Sequence, residues 1–482
     1  MSFSKYNPAL LCDFYEFTMG NGYFLSGKKD GIACFDLFFR RVPDNGGFAI
    51  AAGLASVIDF IDNFKFNDED IEYLRSKKLF SEDFLKYLKD FKFSCDVYAV
   101  PEGTPIFPKE PVITVKGPAV EAQLLETMLL LMINHQSLIA TKANRIVRAA
   151  QGRPVFEFGT RRAQGENAAM LGARAAYIGG CTGTACAACE PLYGIPAIGT
   201  MAHSWIQMFD SEYEAFATYA KLYPDGCTLL IDTYNVLKSG IPNAIKVAKE
   251  ILEPQGKRLK GVRIDSGDIA YLSKKTRELL DEAGLNDCKI FVSNSLDEYI
   301  IRDILVQGAC VDNFGVGERL ITSKSEPVFG GVYKLVAVEQ NGELIPKIKI
   351  SENPEKITTP GYKKVYRLFS NQTGKMLVDM IALADEEFDF TKPITLFDPD
   401  HSWKSKTFSD YSVQEILKPI YINGKRVYNV PDIETTRTYC LNEVSKVWDE
   451  VLRLENPQNY YVDLSQKLWD VKHSLLKKGA SI

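Results

Sequence analysis

Arginine, glycine, acidic residues and a histidine recur directly after a series of short apolar runs in the middle of the chain. In chain order these positions are Gly159, Thr160 and Arg161; Thr200 and His203; Asp232 and Asn235; Arg263, Asp265, Gly267 and Asp268; Ser293 and Asn294; and Gly315, Gly317, Glu318 and Arg319. Arginine offers paired donors to phosphate oxygens, and glycine turns at helix N-termini present backbone N–H groups to an anion. The pattern therefore predicts a site for a small phosphorylated molecule.

Three kinds of side chain in this set suggest further chemistry. Asp232, Asp265 and Asp268 could hold Mg²⁺ against the same phosphates, directly or through water. His203 is one of only four histidines; alone it would suggest packing or capping, but its neighbours favour a nucleophile or general base. Arg263 lies inside an apolar run, and a buried arginine needs an anionic partner.

The elements that must position these residues form a regular alternation. Between residues 154 and 317 apolar runs such as PVFEFG, PAIGTMA, TLLIDTY and LKGVRID are each followed by a helical segment. Near-continuous apolar strands are typical of a parallel sheet covered on both faces, and its ligands bind at the carboxyl ends of the strands. Periodicity leaves both an open sheet and a closed barrel possible.

The flanking segments differ from this middle region. Short strands and helices precede it, ending in long apolar helices over 121–150, while strands and two amphipathic helices follow it. We predict an N-terminal α+β domain with long connecting helices over 1–150, a βα-barrel domain over 151–330, and a region of strands and helices over 331–482 that packs back on the other two.

Composition excludes several classes of protein. The 482 residues carry a net charge of −5 without a block of like charge, which argues against a nucleic-acid binder. The N-terminus lacks the pattern of a signal peptide, and no apolar run reaches the ~18–20 residues of a membrane span. Ten scattered cysteines fit a reducing compartment, so we expect a soluble cytoplasmic protein. Cys181, Cys186 and Cys189 lack a fourth zinc ligand nearby and are interpreted as buried small residues.

Several motifs together resemble one family along essentially the whole chain. LCDFYEFTMGNGYF, FEFGTRRAQG, LYGIPAIGTMAHSW, LLIDTYN, GVRIDSGD, NFGVGERLITS and RLENPQNYYVDLS stand in the order seen in nicotinate phosphoribosyltransferases. The resemblance implies an irregular βα-barrel beside a smaller β-rich α+β domain, a helical C-terminal region, and a homodimer with shared active sites. It implies synthesis of nicotinate mononucleotide and diphosphate from nicotinate and phosphoribosyl diphosphate (PRPP) in NAD biosynthesis. ATP hydrolysis would be coupled through a phosphohistidine, with Mg²⁺ present.

The same resemblance implies a role for each site residue. His203 would be phosphorylated by ATP, with Asp265 as a second catalytic residue near the ribose. Tyr15, from the partner subunit, and Phe158 would sandwich the pyridine ring, while Thr200 and Arg263 would bind the nicotinate carboxylate. The PRPP-binding set would be Arg161, Gly267, Ser293, Asn294, Gly315, Gly317 and Glu318, and the weaker candidates for Mg²⁺ are Asp232 and Asp268.

Departures from the family pattern define the alternatives. Many members have Thr where this chain has Glu318, and a carboxylate there would repel diphosphate unless Mg²⁺ or Arg319 offsets it. Nicotinamide phosphoribosyltransferase has an Asp at the position of Ala185, so its absence here favours nicotinate. A non-catalytic nucleotide-binding homologue, or another barrel enzyme acting on phosphosugars, is the other alternative. The presence of His203, Arg161 and Asp265 argues for an active enzyme.

Overall fold

The structure is a computed structural model that describes residues 6–479. It divides into two compact units: unit 1 comprises 1–138 and 328–482, and unit 2 comprises 139–327. The segments that flank the middle region in sequence therefore belong to the same unit. Within residues 6–479, no helix is both long enough and apolar enough to cross a membrane.

The first part of unit 1 mixes short helices and strands. Its elements are α1 (Phe14–Leu25), β1 (Ile32–Phe39), β2 (Ala49–Ile50), α2 (Leu54–Asp62), α3 (Asp68–Ser76), α4 (Glu82–Lys89), β3 (Asp96–Ala99), β4 (Pro105–Ile106), β5 (Ile113–Pro118) and α5 (Ala119–Gln123). Helix α6 (Glu126–Ala149) follows, and the boundary between the units falls within it.

Unit 2 repeats strand and helix. Its elements are β6 (Val155–Glu157), α7 (Glu166–Ile178), β7 (Gly183–Thr184), α8 (Cys189–Tyr193), α9 (His203–Gln207), α10 (Glu212–Leu222), β8 (Thr228–Leu230), α11 (Ile241–Val247), β9 (Gly261–Ile264), α12 (Ile269–Glu282), β10 (Lys289–Asn294), α13 (Glu298–Val306), β11 (Asn313–Val316) and α14 (Glu318–Ile321). A 3₁₀ turn, Thr160–Arg162, follows β6.

The second part of unit 1 is rich in strands and ends in a helix. Its elements are β12 (Gly331–Gln340), β13 (Glu343–Pro346), β14 (Lys363–Ser370), β15 (Met376–Leu383), β16 (Ile394–Phe397), β17 (Ser405–Phe408), β18 (Tyr411–Glu415), β19 (Lys418–Ile422), β20 (Lys425–Arg426), α15 (Ile433–Ser445), β21 (Val462–Leu464) and α16 (Gln466–Gly479).

Strand pairing unites the two parts of unit 1. Strand β1 is antiparallel to β5 on one side and to β12 on the other, within a seven-stranded sheet of order β13-β12-β1-β5-β3-β19-β20. A second, four-stranded sheet has the order β18-β14-β15-β21. Strand β1 is buried almost along its whole length, because its sequence IACFDLFF is apolar on both faces except at Asp36, which is buried in an ion pair with Lys363.

The sheet of unit 2 is parallel, as the alternating pattern predicts. Its order is β7-β6-β11-β10-β9-β8, and helices separate the strands along the chain. The mixed α/β fold with a parallel sheet is therefore confirmed. The predicted strand PAIGTMA is wrong as a strand: only Ala197 forms a bridge, to Thr184, and Pro196 beside it has no N–H to donate. Across residues 6–479 no ladder joins this segment to β8, so the hydrogen-bonded sheet is irregular there.

A buried ion cluster ties helices together inside unit 2. Glu298, the first residue of α13, is fully buried and accepts from Lys142 Nζ at 2.9 Å and from Arg145 Nε at 2.8 Å. Removing the carboxylate from such a cluster takes away the negative charge that offsets two buried cations. The cluster therefore stabilises the packing of α13 against the C-terminal half of α6.

We expect Glu298→Gln to lower the free energy of unfolding by about 3–5 kcal/mol, because both cations lose a charged partner in a desolvated site. The matched control is Glu278→Gln on α12, whose partner Lys275 lies at the surface, 2.7 Å away. That variant should leave the urea midpoint almost unchanged. Urea denaturation followed by circular dichroism measures both, and equal midpoints for the two variants would contradict the role of the cluster.

Candidate active site

Strand register places most candidate residues on one face of the six-stranded sheet. Arg263 pairs with Phe291, Ser293 pairs with Gly315, and Gly315 pairs with Phe156. Because side chains alternate along each strand, these residues share a face, which we call the pocket face. Phe156, Arg263 and Phe291 are only half-buried, whereas their strand neighbours on the opposite face are buried. The pocket face is therefore the side of the sheet that is open to a ligand.

Phe158 lies at the end of β6 on the pocket face. Its ring stacks on that of Phe291, with ring centres 5.7 Å apart and planes 12° from parallel. A Cβ at Gly315 would lie 2.7 Å from the Phe158 ring and 3.0 Å from that of Phe291. Gly315 therefore makes room for Phe158 against β11. Gly317 serves a similar close approach, because a Cβ there would lie 3.0 Å from the Phe158 carbonyl oxygen.

Arg263 has a guanidinium group with few partners. Its Nη1 donates to Thr200 Oγ1 at 2.6 Å, and its Nε is buried with no hydrogen-bond partner among the described residues. Burial lowers the pKa of Arg263, the nearby charges of Asp265 and Asp232 raise it, and the charge of Arg161 lowers it further. An anion bound here would offset this desolvation.

Asp232 joins the ends of neighbouring strands. Its Oδ2 accepts from the backbone N–H of Asp265 at 2.9 Å and from the Ser266 hydroxyl at 2.6 Å. The Ser293 hydroxyl donates in turn to Asp265 Oδ1. The ends of β8, β9 and β10 are thus linked through two carboxylates. Asp232 Oδ1 is buried and has no hydrogen-bond partner within residues 6–479.

His203 is the first residue of α9 and stands between a hydroxyl and a carboxylate. Its Nδ1 lies 3.1 Å from Thr233 Oγ1, and its Nε2 lies 3.8 Å from Asp265 Oδ2. The side chain is 40% exposed, so the ring is held on two sides and open on another. Thr233 was absent from the predicted set, although its place directly after Asp232 in LLIDTYN was a usable signal.

Glu318 has a different electrostatic partner from the expected Arg319. Lys324 Nζ donates to Glu318 Oε1 at 2.7 Å, and this hydrogen bond and charge lower the pKa of Glu318. Arg162 and Arg319 contribute smaller effects, and Arg319 itself donates to Asp297. The residue that mainly offsets the Glu318 carboxylate is therefore Lys324.

The remaining loop residues have local roles that the sequence did not specify. Gly267 has φ +86°, a conformation that favours glycine, and Asp268 caps α12 by accepting from the Tyr271 N–H at 2.9 Å. Asn294 has φ 150°, and its side-chain oxygen accepts from the Ser295 N–H at 2.6 Å. These turns bring backbone and polar groups to the carboxyl ends of β9 and β10.

The acidic residues can be tested against the expected Mg²⁺. In the part of the chain that the structure describes, no three His, Cys, Asp or Glu side chains form a ready-made metal cluster. Mg²⁺ at a phosphate site needs only one or two carboxylates, since water and phosphate supply its other ligands. The unpartnered Oδ1 of Asp232 fits that requirement, and Asp268 offers the oxygen that does not cap α12.

The sequence also singled out Tyr15 and a group of three cysteines. Tyr15 is on α1 in unit 1, is 42% exposed, and has its pKa raised by burial and by a hydrogen bond with Glu126. In unit 2, Cys181, Cys186 and Cys189 are buried and not in disulfides, which fits their interpretation as small core residues.

Comparison with known proteins gives a consistent result for sequence and structure. Sequence profiles of the nicotinate phosphoribosyltransferase (NAPRTase) N-terminal domain, family and C-terminal domain match residues 10–134, 154–391 and 362–472. Nicotinate phosphoribosyltransferase of Bacillus subtilis is 44% identical over 466 residues, which cover 96% of this chain and 94% of that protein.

Solved structures extend the likeness to the fold. The crystal structure of human nicotinic acid phosphoribosyltransferase superimposes with a TM-score of 0.86 at 30% identity, covering 97% of this chain and 100% of that one. Nicotinate-nucleotide pyrophosphorylase from Pyrococcus furiosus matches less closely, with a TM-score of 0.66 and 26% identity over 91% of this chain and 98% of that one. The chain therefore belongs to the nicotinate phosphoribosyltransferase family.

Proposed function

We propose that this chain forms nicotinate mononucleotide and diphosphate from nicotinate and PRPP. The observation that carries the proposal is Arg263, a half-buried arginine on the pocket face whose Nε is buried and has no hydrogen-bond partner within residues 6–479, with the aromatic Phe158 on the same face. Nicotinate combines a carboxylate with an aromatic ring, so one ligand can pair with the Arg263 guanidinium and stack on the Phe158 ring. Thr200, already bonded to Arg263, is placed to share the carboxylate.

The pyridine ring would stack on Phe158, which Phe291 holds in place. Nicotinamide has a neutral amide in place of the carboxylate, so it lacks the negative charge that would pair with Arg263. Ala185 is exposed and follows Thr184, which pairs with Glu157, so alternation places it on the pocket face, where it presents no carboxylate to accept an amide N–H. These features favour nicotinate over nicotinamide.

PRPP would occupy the loops at the carboxyl ends of the strands. Arg161 is exposed in the turn after β6, and the neighbouring Thr160 hydroxyl is buried without a partner in residues 6–479, as expected of a group that awaits phosphate. The other groups proposed to bind PRPP are the turns and side chains of Gly267, Ser293, Asn294, Gly315, Gly317 and Glu318. Mg²⁺, held by Asp232 and Asp268, would supply positive charge to the diphosphate oxygens.

The reaction breaks the bond between the anomeric carbon of PRPP and diphosphate and forms a bond from that carbon to the pyridine nitrogen. Positive charge develops on the sugar as diphosphate departs, so stabilising diphosphate is the main catalytic task. Arg161 can pair with phosphate oxygens, and Lys324 keeps the Glu318 carboxylate from acting as an uncompensated negative charge beside them.

ATP would act through His203. A ring nitrogen attacks the γ-phosphorus, ADP leaves, and the phosphohistidine is hydrolysed during the cycle. Thr233 and Asp265 flank the ring, and these contacts would orient it before ATP binds. The added phosphoryl charge would favour Mg²⁺ and PRPP binding beside it.

The assembly and location complete the proposal. We place the enzyme in the reducing cytoplasm as a homodimer with shared active sites. Tyr15 would then stack on the pyridine ring bound by the partner subunit, which fits its exposure on α1.

Initial rates of mononucleotide formation with nicotinate and nicotinamide test the assignment of Arg263. We expect the wild type to prefer nicotinate by roughly 100-fold or more in kcat/KM. Arg263→Ala should raise the KM for nicotinate roughly 10- to 100-fold, because a charged hydrogen bond is lost, and should change the KM for PRPP little. Arg258→Ala, which removes an exposed arginine paired with Asp287, is the matched control. A wild-type preference for nicotinamide would overturn the proposal.

Incubation with ATP labelled in the γ-phosphate tests the covalent step. The wild type should acquire a label that is stable in base and lost in acid, and His203→Asn should acquire none, because the nucleophile is removed. His401→Asn is the control, since His401 also lies beside a carboxylate, 3.2 Å from Asp398 Oδ2, and should not affect labelling. Turnover of nicotinate with ATP by a wild type that never carries label would rule out the phosphohistidine.

A further inference from the structure

Glu157 is a fully buried carboxylate directly behind the candidate site. It is the last residue of β6 and lies between Phe156 and Phe158, so alternation points its side chain away from the pocket face. Burial raises its pKa, while hydrogen bonds from Thr184 and Gly159 lower it. A desolvated carboxyl group costs stability unless its hydrogen bonds offset the loss of water, so its partners indicate its role.

The two carboxylate oxygens of Glu157 hold two different loops. Oε1 accepts from the backbone N–H of Gly159, and Oε2 accepts from the Thr184 hydroxyl at 2.6 Å. Thr184 Oγ1 also accepts from the backbone N–H of Cys186 at 3.0 Å, and the Glu157 carbonyl accepts from Ala185 N–H at 2.8 Å. One side chain thus links the loop after β6 to the loop after β7.

Gly159 is tightly enclosed by this arrangement. A Cβ there would lie 2.8 Å from Glu157 Oε1 and 2.6 Å from Ile321, so any larger residue would displace the carboxylate or the loop. The Gly159 carbonyl accepts from Arg162 N–H at 2.7 Å and so closes the turn that contains Arg161. The position of Arg161 therefore depends on a backbone that Glu157 fixes.

Phe158, in contrast, has its own supports. Its backbone N–H donates to the Val316 carbonyl at 2.8 Å, and its ring stacks on Phe291. Loss of the Glu157 carboxylate would leave both contacts in place. The aromatic group that would contact nicotinate is thus held separately from the arginine that would contact PRPP.

We propose that Glu157 is a positioning residue for PRPP, which holds the Gly159 backbone and Thr184 so that the Thr160–Arg162 turn presents Arg161 to phosphate. The inference rests on the proposed function for the identity of the substrate. The positioning role predicts different effects on the two substrates: PRPP binding depends on Glu157, and nicotinate binding does not.

The test compares Glu157→Leu with wild type by steady-state kinetics and by calorimetric titration with PRPP. Leucine removes both acceptors and leaves the Gly159 N–H and the Thr184 hydroxyl unpaired, so the KM and Kd for PRPP should rise about tenfold or more. The KM for nicotinate should stay within about twofold of wild type, because Phe158 and Arg263 keep their contacts. Glu157→Gln, whose amide oxygen can still accept from Gly159, should recover part of the loss.

Two further variants separate positioning from a general loss of packing. Thr184→Val removes the donor to Oε2 and should weaken PRPP binding less than Glu157→Leu, and Thr184→Ser should restore it; this pair decides the question if Glu157→Leu does not fold. Glu212→Leu removes another buried carboxylate, bonded to Asn243 at 2.9 Å, and should leave PRPP binding unchanged.

Unchanged PRPP binding in folded Glu157→Leu, or in Thr184→Val if the former does not fold, would overturn the inference, as would equal rises in both KM values. Failure of the proposed function gives a different result, namely a wild type that forms no mononucleotide. Calorimetry with PRPP would still compare wild type and variants in that case. A selective loss of PRPP affinity would then support the positioning role without the transferase activity.

Discussion

The register of the parallel sheet in unit 2 is the constraint on which the candidate site depends. Pairing of Arg263 with Phe291 and of Ser293 with Gly315 puts alternate residues of neighbouring strands on the pocket face. A slip of one residue in β9 or β10 would move Arg263 or Ser293 to the buried face and an aliphatic residue to the pocket. Buried neighbours such as Val292 and Ile264 oppose that slip, because they would have to face the open side. The apolar core thus fixes the position of the chemistry.

The positive charge of Arg263 on the pocket face is supported by nearby carboxylates that do not bond to it directly. Arg263 lies near Asp265 and Asp232, whose charges support its protonated form, but its guanidinium donates a hydrogen bond to Thr200 instead. One oxygen of each carboxylate bonds to other groups: Asp232 Oδ2 accepts from the Asp265 N–H and the Ser266 hydroxyl, and Asp265 Oδ1 accepts from Ser293. Among the residues that the structure describes, no carboxylate forms a direct ion pair with this guanidinium. An anionic substrate can bind it without first displacing a protein carboxylate, which avoids the cost of breaking a buried pair.

The sequence predicted which residues end the strands, but not which residues they contact. Alternating apolar runs and helical segments were sufficient to place Arg263, Asp265, Ser293 and Gly315 at carboxyl ends, because period and turn residues are local properties. The strand expected over PAIGTMA failed, since one proline and an irregular path left only the Ala197 bridge. The pairing of Glu318 with Lys324 and of His203 with Thr233 depends on side-chain direction and tertiary packing, which local patterns do not encode. Glu157 was overlooked because a single acidic residue in an apolar strand has no distinctive spacing.

The two faces of the sheet have different roles in a site for a flexible, highly charged substrate: the pocket face contacts the ligand, and the opposite face holds the loops in position. Arg161 is exposed on a short turn. If the backbone of this turn were mobile, ordering it and the long arginine side chain would cost conformational entropy each time the substrate bound. Hydrogen bonds from behind the sheet can lower that loss by fixing the backbone in advance, without placing another charge in contact with phosphate. Glu157 meets this requirement, because its carboxylate is buried on the far side while its bonds reach Gly159 and Thr184. A carboxylate on the pocket face at the same position would instead repel the substrate, so the alternation of the strand is what permits an acidic residue to support an anion site.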